Sequence, residues 1–287
     1  MKTTLLLAVL TGLFLAVGHF FGGQGGMALA FGFAILTNFV AYWFSDKIVL
    51  SMMHAKEATE SSSPDLFRIV CSLVQRARLP MPKLYITPDR NPNAFATGRS
   101  PDHAAVAVTS GLLELLSREE IEGVLSHELS HIQNRDTLIS TIAATMAGAI
   151  SMLAHMFSWA LMTRRSDDRD EGGNPLAAIL LMVIAPIAAA IIQMAISRSR
   201  EYGADAAGAR ITGDPEKLAR ALEKLEEAAH AIPMLDVKPA TAHMFIVSPF
   251  SGGRKGASSF LTLFSTHPPM EERVRRLREM RRGGIVS

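Results

Sequence analysis

The sequence predicts an α+β domain joined to a four-helix membrane region, and three observations predict it. First, four runs carry no Lys, Arg, Asp or Glu: residues 3–21, 27–44, 137–163 and 177–197. Second, the segment between the second and third runs mixes short β-branched stretches with helix-start signals. Third, His127 and His131 flank Glu128 in a predicted helix, and Glu201 and Asp205 follow directly after the fourth run. The 287 residues are 48% hydrophobic and only 20% charged, with mean hydropathy +0.21, and the apolar residues concentrate in the four runs.

Each run, at about 1.5 Å per helical residue, crosses a hydrocarbon core of about 30 Å, the third with tilt. Buried core helices are the alternative, but four uncharged runs in so small a chain favour spans. Four units follow: a two-span hairpin over 1–44, a first extramembrane part over 45–136, a second hairpin over 137–197, and a second extramembrane part over 198–287. The first run also suits a secretory leader, with Lys2 as its positive end and residues 5–17 as its apolar stretch. A second run begins after only Gly22-Gly23-Gln24-Gly25-Gly26, which favours a retained helical hairpin.

All 29 Lys and Arg except Lys2, Arg164, Arg165 and Arg169 lie in 45–136 and 198–287. The positive-inside rule therefore puts both extramembrane parts on the cytoplasmic side. Net charge is +2. The basic stretch 273–282 reads as one face of a solvated helix, with contact to lipid headgroups the weaker alternative. No interleaving of aromatic and basic residues points to nucleic acid. Cys71 stands alone, which excludes an intramolecular disulfide framework.

Within 45–136, Ser63 and Pro64 suit the N-cap and first turn of a helix reaching about Arg78. Short strands are expected at 83–87 and 94–97, set off by Pro88 and Pro92, and a better one at 104–109. Gly111 precedes a short helix over 112–116. Ser117 and Glu120 match a capping box opening the helix that carries the histidines. Beyond the fourth run, Asp214 and Pro215 open a helix over 216–229. Residues 233–259, rich in Gly, Pro and Ser, read as an irregular flap, and a charged helix over 268–280 follows.

Residues four apart on a helix share a face, so His127 and His131 can grip one metal ion with Glu128 beside them to act on a water. A glycine at position 134 and a histidine at 137 would mark a three-histidine site, but the chain has Asn134 and Thr137. Glu201 is then the best third ligand, and two imidazoles plus a carboxylate leave one zinc position open, the arrangement of a catalytic site. Asp205, one turn on, is placed to accept a hydrogen bond from a ligand imidazole. The ligands need a common side of the membrane, and two crossings separate them, so the metal should lie near the cytoplasmic surface. This is the constellation of a zinc hydrolase that attacks a peptide carbonyl, Glu128 moving the proton from water to the leaving amine.

Taken together, residues 127–131, Asn134, Asp136 and 201–205 resemble the integral-membrane zinc metalloproteases of the HtpX type, which are more distantly related to the CAAX prenyl proteases. Residues 93–98 and 266–269, with Arg273, fit as well. The resemblance implies a zincin-like metalloprotease fold and one Zn2+ per chain. It implies a bacterial inner-membrane, multi-pass endopeptidase with its catalytic domain and both termini in the cytosol. Its substrates would be misfolded membrane polypeptides, handled under stress alongside an ATP-dependent membrane protease. It also implies that His267 and Arg273 reach the site, His267 as an oxyanion donor, and that Asn134 backs the ligands. Asn93, Ala94 and Phe95 would lie by the substrate cleft, where a strand edge, theirs or that of 104–109, pairs with an extended substrate.

Two other readings remain open in the sequence: a selective processing protease of the prenyl-protease type, and a non-catalytic metal-binding membrane scaffold. Glu128 counts against the scaffold, since a structural metal site needs ligands but not that carboxylate. His19 and His155 lie within the apolar runs, where helix packing or interfacial placement is favoured over a metal or proton-path role, and His54, His103, His230 and His243 have no partner at ligand spacing.

Overall fold

The computed structural model describes residues 2–139, 198–231 and 268–284, together with Ile142 and Ile246. Helix α1 (Lys2–Met52) is broken at Gly23, whose φ of 57° only glycine adopts freely. The break folds the two arms against each other. The Asn38 amide donates to Thr11 Oγ1 at 2.9 Å, Phe14 and Phe33 meet edge to face at 5.3 Å, and Gly18 lies directly against Gly26 and Ala30. This is the hairpin expected from the glycine-rich link. Among the described residues one segment, Gly23–Phe44, is long and apolar enough to span a membrane, with mean hydropathy 1.7 and almost none of it covered by protein. The expected four-helix region is thus represented by that one candidate span. The runs at 137–163 and 177–197 lie almost wholly outside the described residues, as does the 233–259 segment apart from Ile246.

Four strands, β1 (Lys56–Ala58), β2 (Lys83–Thr87), β3 (Ala94–Gly98) and β4 (Ala104–Thr109), form one sheet in the order β1-β2-β4-β3. β2 and β4 are parallel, with Tyr85 opposite Ala107, while β1 and β3 pair antiparallel with their neighbours. β1 has no signature in the sequence, because two of its three residues are charged and pairing with β2 alone defines it. β4 is covered on both faces, which is why its sequence is continuously small and apolar instead of alternating. Val106 and Val108 face the main core with Leu73, Leu112 and Leu125. Ala105, Ala107 and Phe95 face Val49 and Leu50 at the end of α1. β4 is paired along both edges, whereas β3 pairs along one edge among the described residues.

The helices α2 (Pro64–Ala77), α3 (Ser110–Leu115), α4 (Arg118–Gln133), α5 (Arg198–Thr212), α6 (Pro215–Ala231) and α7 (Met270–Arg282) complete the described fold. Pro64 occupies the first turn of α2 as expected, but Ser63 makes no side-chain capping bond. The capping box of α4 forms in full: Ser117 Oγ accepts from the Glu120 amide and Glu120 accepts from the Ser117 amide. At α6, Asp214 Oδ1 accepts from the Glu216 amide at 3.0 Å.

α4 is the central helix, buried nearly all round between the sheet, α5 and α6, so its sequence lacks a simple apolar stripe. Small residues allow this. A Cβ on Gly123 would meet the Lys217 and Leu218 backbone at 2.6–2.9 Å, and one on Gly208 would meet the His127 amide and Ser126 Oγ at 3.0 Å. The second contact sets α5 hard against α4 at the first histidine. The two histidines and the acidic residues of α5 therefore belong to one packed helix pair.

Candidate active site

α4 supplies His127, Glu128 and His131, and α5 supplies Glu201 and Asp205. His127 Nε2 and His131 Nε2 are 3.1 Å apart. Glu201 Oε2 is 3.7 Å from the first and Oε1 is 3.6 Å from the second. One ligand atom from each residue falls within 4.8 Å of the others. Ligand atoms around a tetrahedral zinc, at about 2.0–2.1 Å from it, lie roughly 3.3–3.5 Å apart, so the donor set and its spacing fit a zinc ion. The charge environment fits as well: Glu128, Glu201 and Asp136 surround the two imidazoles. Burial opposes charge on His131, but the hydrogen bond to Asp136 and the carboxylates of Glu201 and Glu128 outweigh it and raise its pKa to about 9. Surroundings that favour a proton there favour a divalent cation for the same reason, and binding one releases the proton.

Each ligand is braced from behind. His127 Nδ1 lies 2.9 Å from Asp205 Oδ1, with the oxygen off the line of the ring N–H. His131 Nδ1 lies 3.3 Å from Asp136 Oδ2. Asp205 is in turn gripped by Arg273, whose Nε and Nη2 donate to its two oxygens at 2.8 and 2.7 Å. Arg273 Nη2 also reaches within 3.9 Å of Glu201 Oε2. Arg273 is fully buried, a rare state for arginine that this bidentate pair explains. Burial disfavours charge on Asp205, yet Arg273 overrides it and holds the carboxyl at about 2.

Glu128 is buried as well. Desolvation pushes its carboxyl up from the usual range, His127 and His131 pull it down, Glu201 pushes it up, and an amide hydrogen bond from Ala96 pulls it down, leaving a net rise. A base raised toward neutral pH transfers protons more effectively. Zinc, when bound, polarises the scissile carbonyl and lowers the pKa of water toward about 7. Glu128, buried in α4 between the two histidines and with its pKa raised, has the chemistry that a proton acceptor for an attacking water needs. Because Ala96 is in β3, this hydrogen bond ties Glu128 to that strand.

The other expected residues fall in different places. Asn93 is fully buried at the start of β3, where its amide donates to Thr109 Oγ1 and its side-chain oxygen accepts from the Ile246 amide, 3.1 Å away. Ile246 also offers its carbonyl to Arg273 Nη1 at 3.5 Å, so this one residue of the 233–259 segment is pinned between β3 and α7. Ala94 and Phe95 are buried, Phe95 against the end of α1. Asn134 caps α4 and is exposed, its amide donating to the Ser130 carbonyl. Asp136, one residue past the left-handed Arg135, contacts His131 instead. His267 lies outside the described residues. Two contributors escaped the reading of roles from spacing: Asp136 and the Ala96 amide. A left-handed turn brings Asp136 back to the helix, and a backbone donor leaves no mark in side-chain chemistry.

The sequence profile of peptidase family M48 matches residues 60–281. A relative named protease HtpX homolog in Persephonella marina is 56% identical over 289 residues, covering 99% of both chains. Homologues of the same name in Pyrococcus furiosus and Desulforapulum autotrophicum are 54% and 57% identical, over 97% and 96% of this chain and 95% and 88% of theirs. The crystal structure of S. mikatae Ste24p is similar in fold, with TM-score 0.53 at 19% identity, covering 94% of this chain and 62% of that one.

Proposed function

The chain belongs to peptidase family M48 and is a zinc metallopeptidase, and on that premise we propose that it is an endopeptidase of unfolded and misfolded membrane polypeptides, working at the cytoplasmic membrane surface. The observation that carries the substrate reading is that β3, beside Glu128, is an edge strand among the described residues. An extended chain added to that edge is held by backbone hydrogen bonds, which accept almost any sequence but only unfolded segments. β4, paired on both sides, offers no such edge. His127, His131 and Glu201 hold the zinc, Glu128 is the base, Asp205, Asp136 and Arg273 orient the ligands, and His267 serves as oxyanion donor. The apolar arm Gly23–Phe44, joined to the sheet through Val49 and Leu50, supports a site close to the bilayer. The resemblance adds a multi-pass inner-membrane topology, four units bounded at 44, 136 and 197, and a role in quality control beside an ATP-dependent membrane protease.

The test is cleavage by the detergent-purified chain of an unfolded soluble polypeptide and of the same polypeptide folded. Cleavage of the unfolded form alone, lost with chelator and restored by zinc, is the expected result. Equal cleavage of both forms would remove the strand-edge argument. The facing is checked separately through the lone, partly exposed Cys71. A membrane-impermeant thiol reagent should label it in inverted vesicles and spare it in intact cells.

A further inference from the structure

A cavity of about 610 Å³ opens on the opposite side of the sheet from α4, between the end of α1 and the starts of β2 and β4. Its size is within the roughly 300–1,000 Å³ range of small-molecule sites. Its lining combines aromatic and charged side chains. Phe39, Trp43 and Phe44, all exposed, belong to the last turns of the candidate span. Lys47, Lys83 and Arg99 line it too, with Asp46 and Asp102. Arg99 stacks on Trp43 with its guanidinium 4.5 Å from the ring centroid, and the Lys47 ammonium is 5.5 Å from the Phe44 ring.

Among the described residues none of these three cations pairs with a carboxylate within 4 Å, although Asp46 and Asp102 share the lining. Three permanent cations against two carboxylates leave one positive charge. Position selects the class of ligand. Residues 39–44 are the end of the apolar arm, Asp46 and Lys47 are the first charges beyond it, and aromatic residues at that depth mark the boundary between hydrocarbon and headgroups. A ligand there must satisfy both aromatic walls and a surplus of cationic side chains.

We propose that this cavity seats one anionic phospholipid, its phosphodiester against Lys83 and Arg99 and its acyl chains on Phe39, Trp43 and Phe44. The single lipid charge neutralises the surplus cation, which a zwitterionic lipid of the same chains does not do. The guanidinium is already oriented by Trp43, so little side-chain freedom is lost on binding. The inference rests on the reading of Gly23–Phe44 as a membrane span.

The experiment uses the full chain in detergent, titrated with phosphatidylglycerol, with phosphatidylcholine of the same acyl chains, and with soluble glycerol phosphate, and read by thermal unfolding. The expected result is a rise in Tm with phosphatidylglycerol alone. In Lys83→Gln/Arg99→Gln the lipid concentration needed for that rise should increase at least about tenfold, the usual weight of a charge-assisted contact. Cleavage of an unfolded polypeptide by the same variant should match wild type, which shows that it is folded. An equal rise with phosphatidylcholine, a rise with glycerol phosphate alone, or an unchanged phosphatidylglycerol response in the variant would each overturn the proposal. Alkaline extraction of native membranes separates the two levels of argument: a chain that stays in the membrane yet shows no lipid preference loses this site but keeps the span, and a chain that is extracted loses both.

Discussion

Glu128→Gln loses at least about a thousandfold in peptide-bond cleavage, near the middle of the range for a positioned general base. That corresponds to roughly 4 kcal/mol of transition-state stabilisation. The amide of glutamine has the same shape as the carboxylate and can still accept from the Ala96 amide, so the base is removed without opening a cavity. The ligand set His127, His131 and Glu201 is untouched, and zinc content should remain one per chain. Two measurements decide it together: turnover of an unfolded polypeptide and bound zinc by elemental analysis. Residual activity within tenfold of wild type would assign proton transfer to another group. Loss of zinc together with activity would make Glu128 a structural part of the metal site.

Arg273→Met is expected to destabilise the chain by about 3–5 kcal/mol, the cost of leaving a buried carboxylate without its cation. Methionine fills comparable space, so lost volume contributes little. Asp205, only 4% exposed, loses both bonds from Arg273 and keeps only the off-line contact with His127. The zinc-holding imidazole then loses its fixed orientation, for which metal affinity typically falls about 10–100-fold. The pH dependence has a definite sign. The folded-state pKa of Asp205, at about 2, is below the roughly 3.9 of an unfolded chain. Its contribution is therefore complete above about pH 4 and disappears as pH falls toward 2. The gap in Tm between wild type and Arg273→Met should be widest near neutral pH and close across that acid window. A gap independent of pH down to 2 would mean that the loss arises from packing around Arg273 and not from the ion pair.

The contrast between these two residues shows what was legible. Glu128 could be read from the sequence because its relation to the metal is local: one helix, one pentapeptide and the 3.6-residue period place it beside two ligands. Glu201 was within reach, since an acidic pair at helical spacing after an apolar run leaves few other assignments. Arg273 is 68 residues from Asp205 and was visible only through family resemblance. Nothing in its own neighbourhood, a helix crowded with other arginines, marks it as the one that is fully buried. Asn93, which the resemblance puts by the substrate cleft, has its side chain inside the protein, fastening Ile246, a contact that no local spacing announces.

By itself the sequence determined the hairpin of α1, the strands, the capping box of α4 and the metal-binding chemistry, because each depends on residues within a few turns of one another. Tertiary structure decided that β4 lies between β2 and β3, leaving β3 an edge strand among the described residues, since strand order depends on which chains pair across space. It decided as well that Gly208 seats α5 on His127, that Asp136 returns to His131, and that Arg273 closes on Asp205. Those contacts join segments far apart in the chain, and local propensity carries no information about which distant partner a buried charge will find.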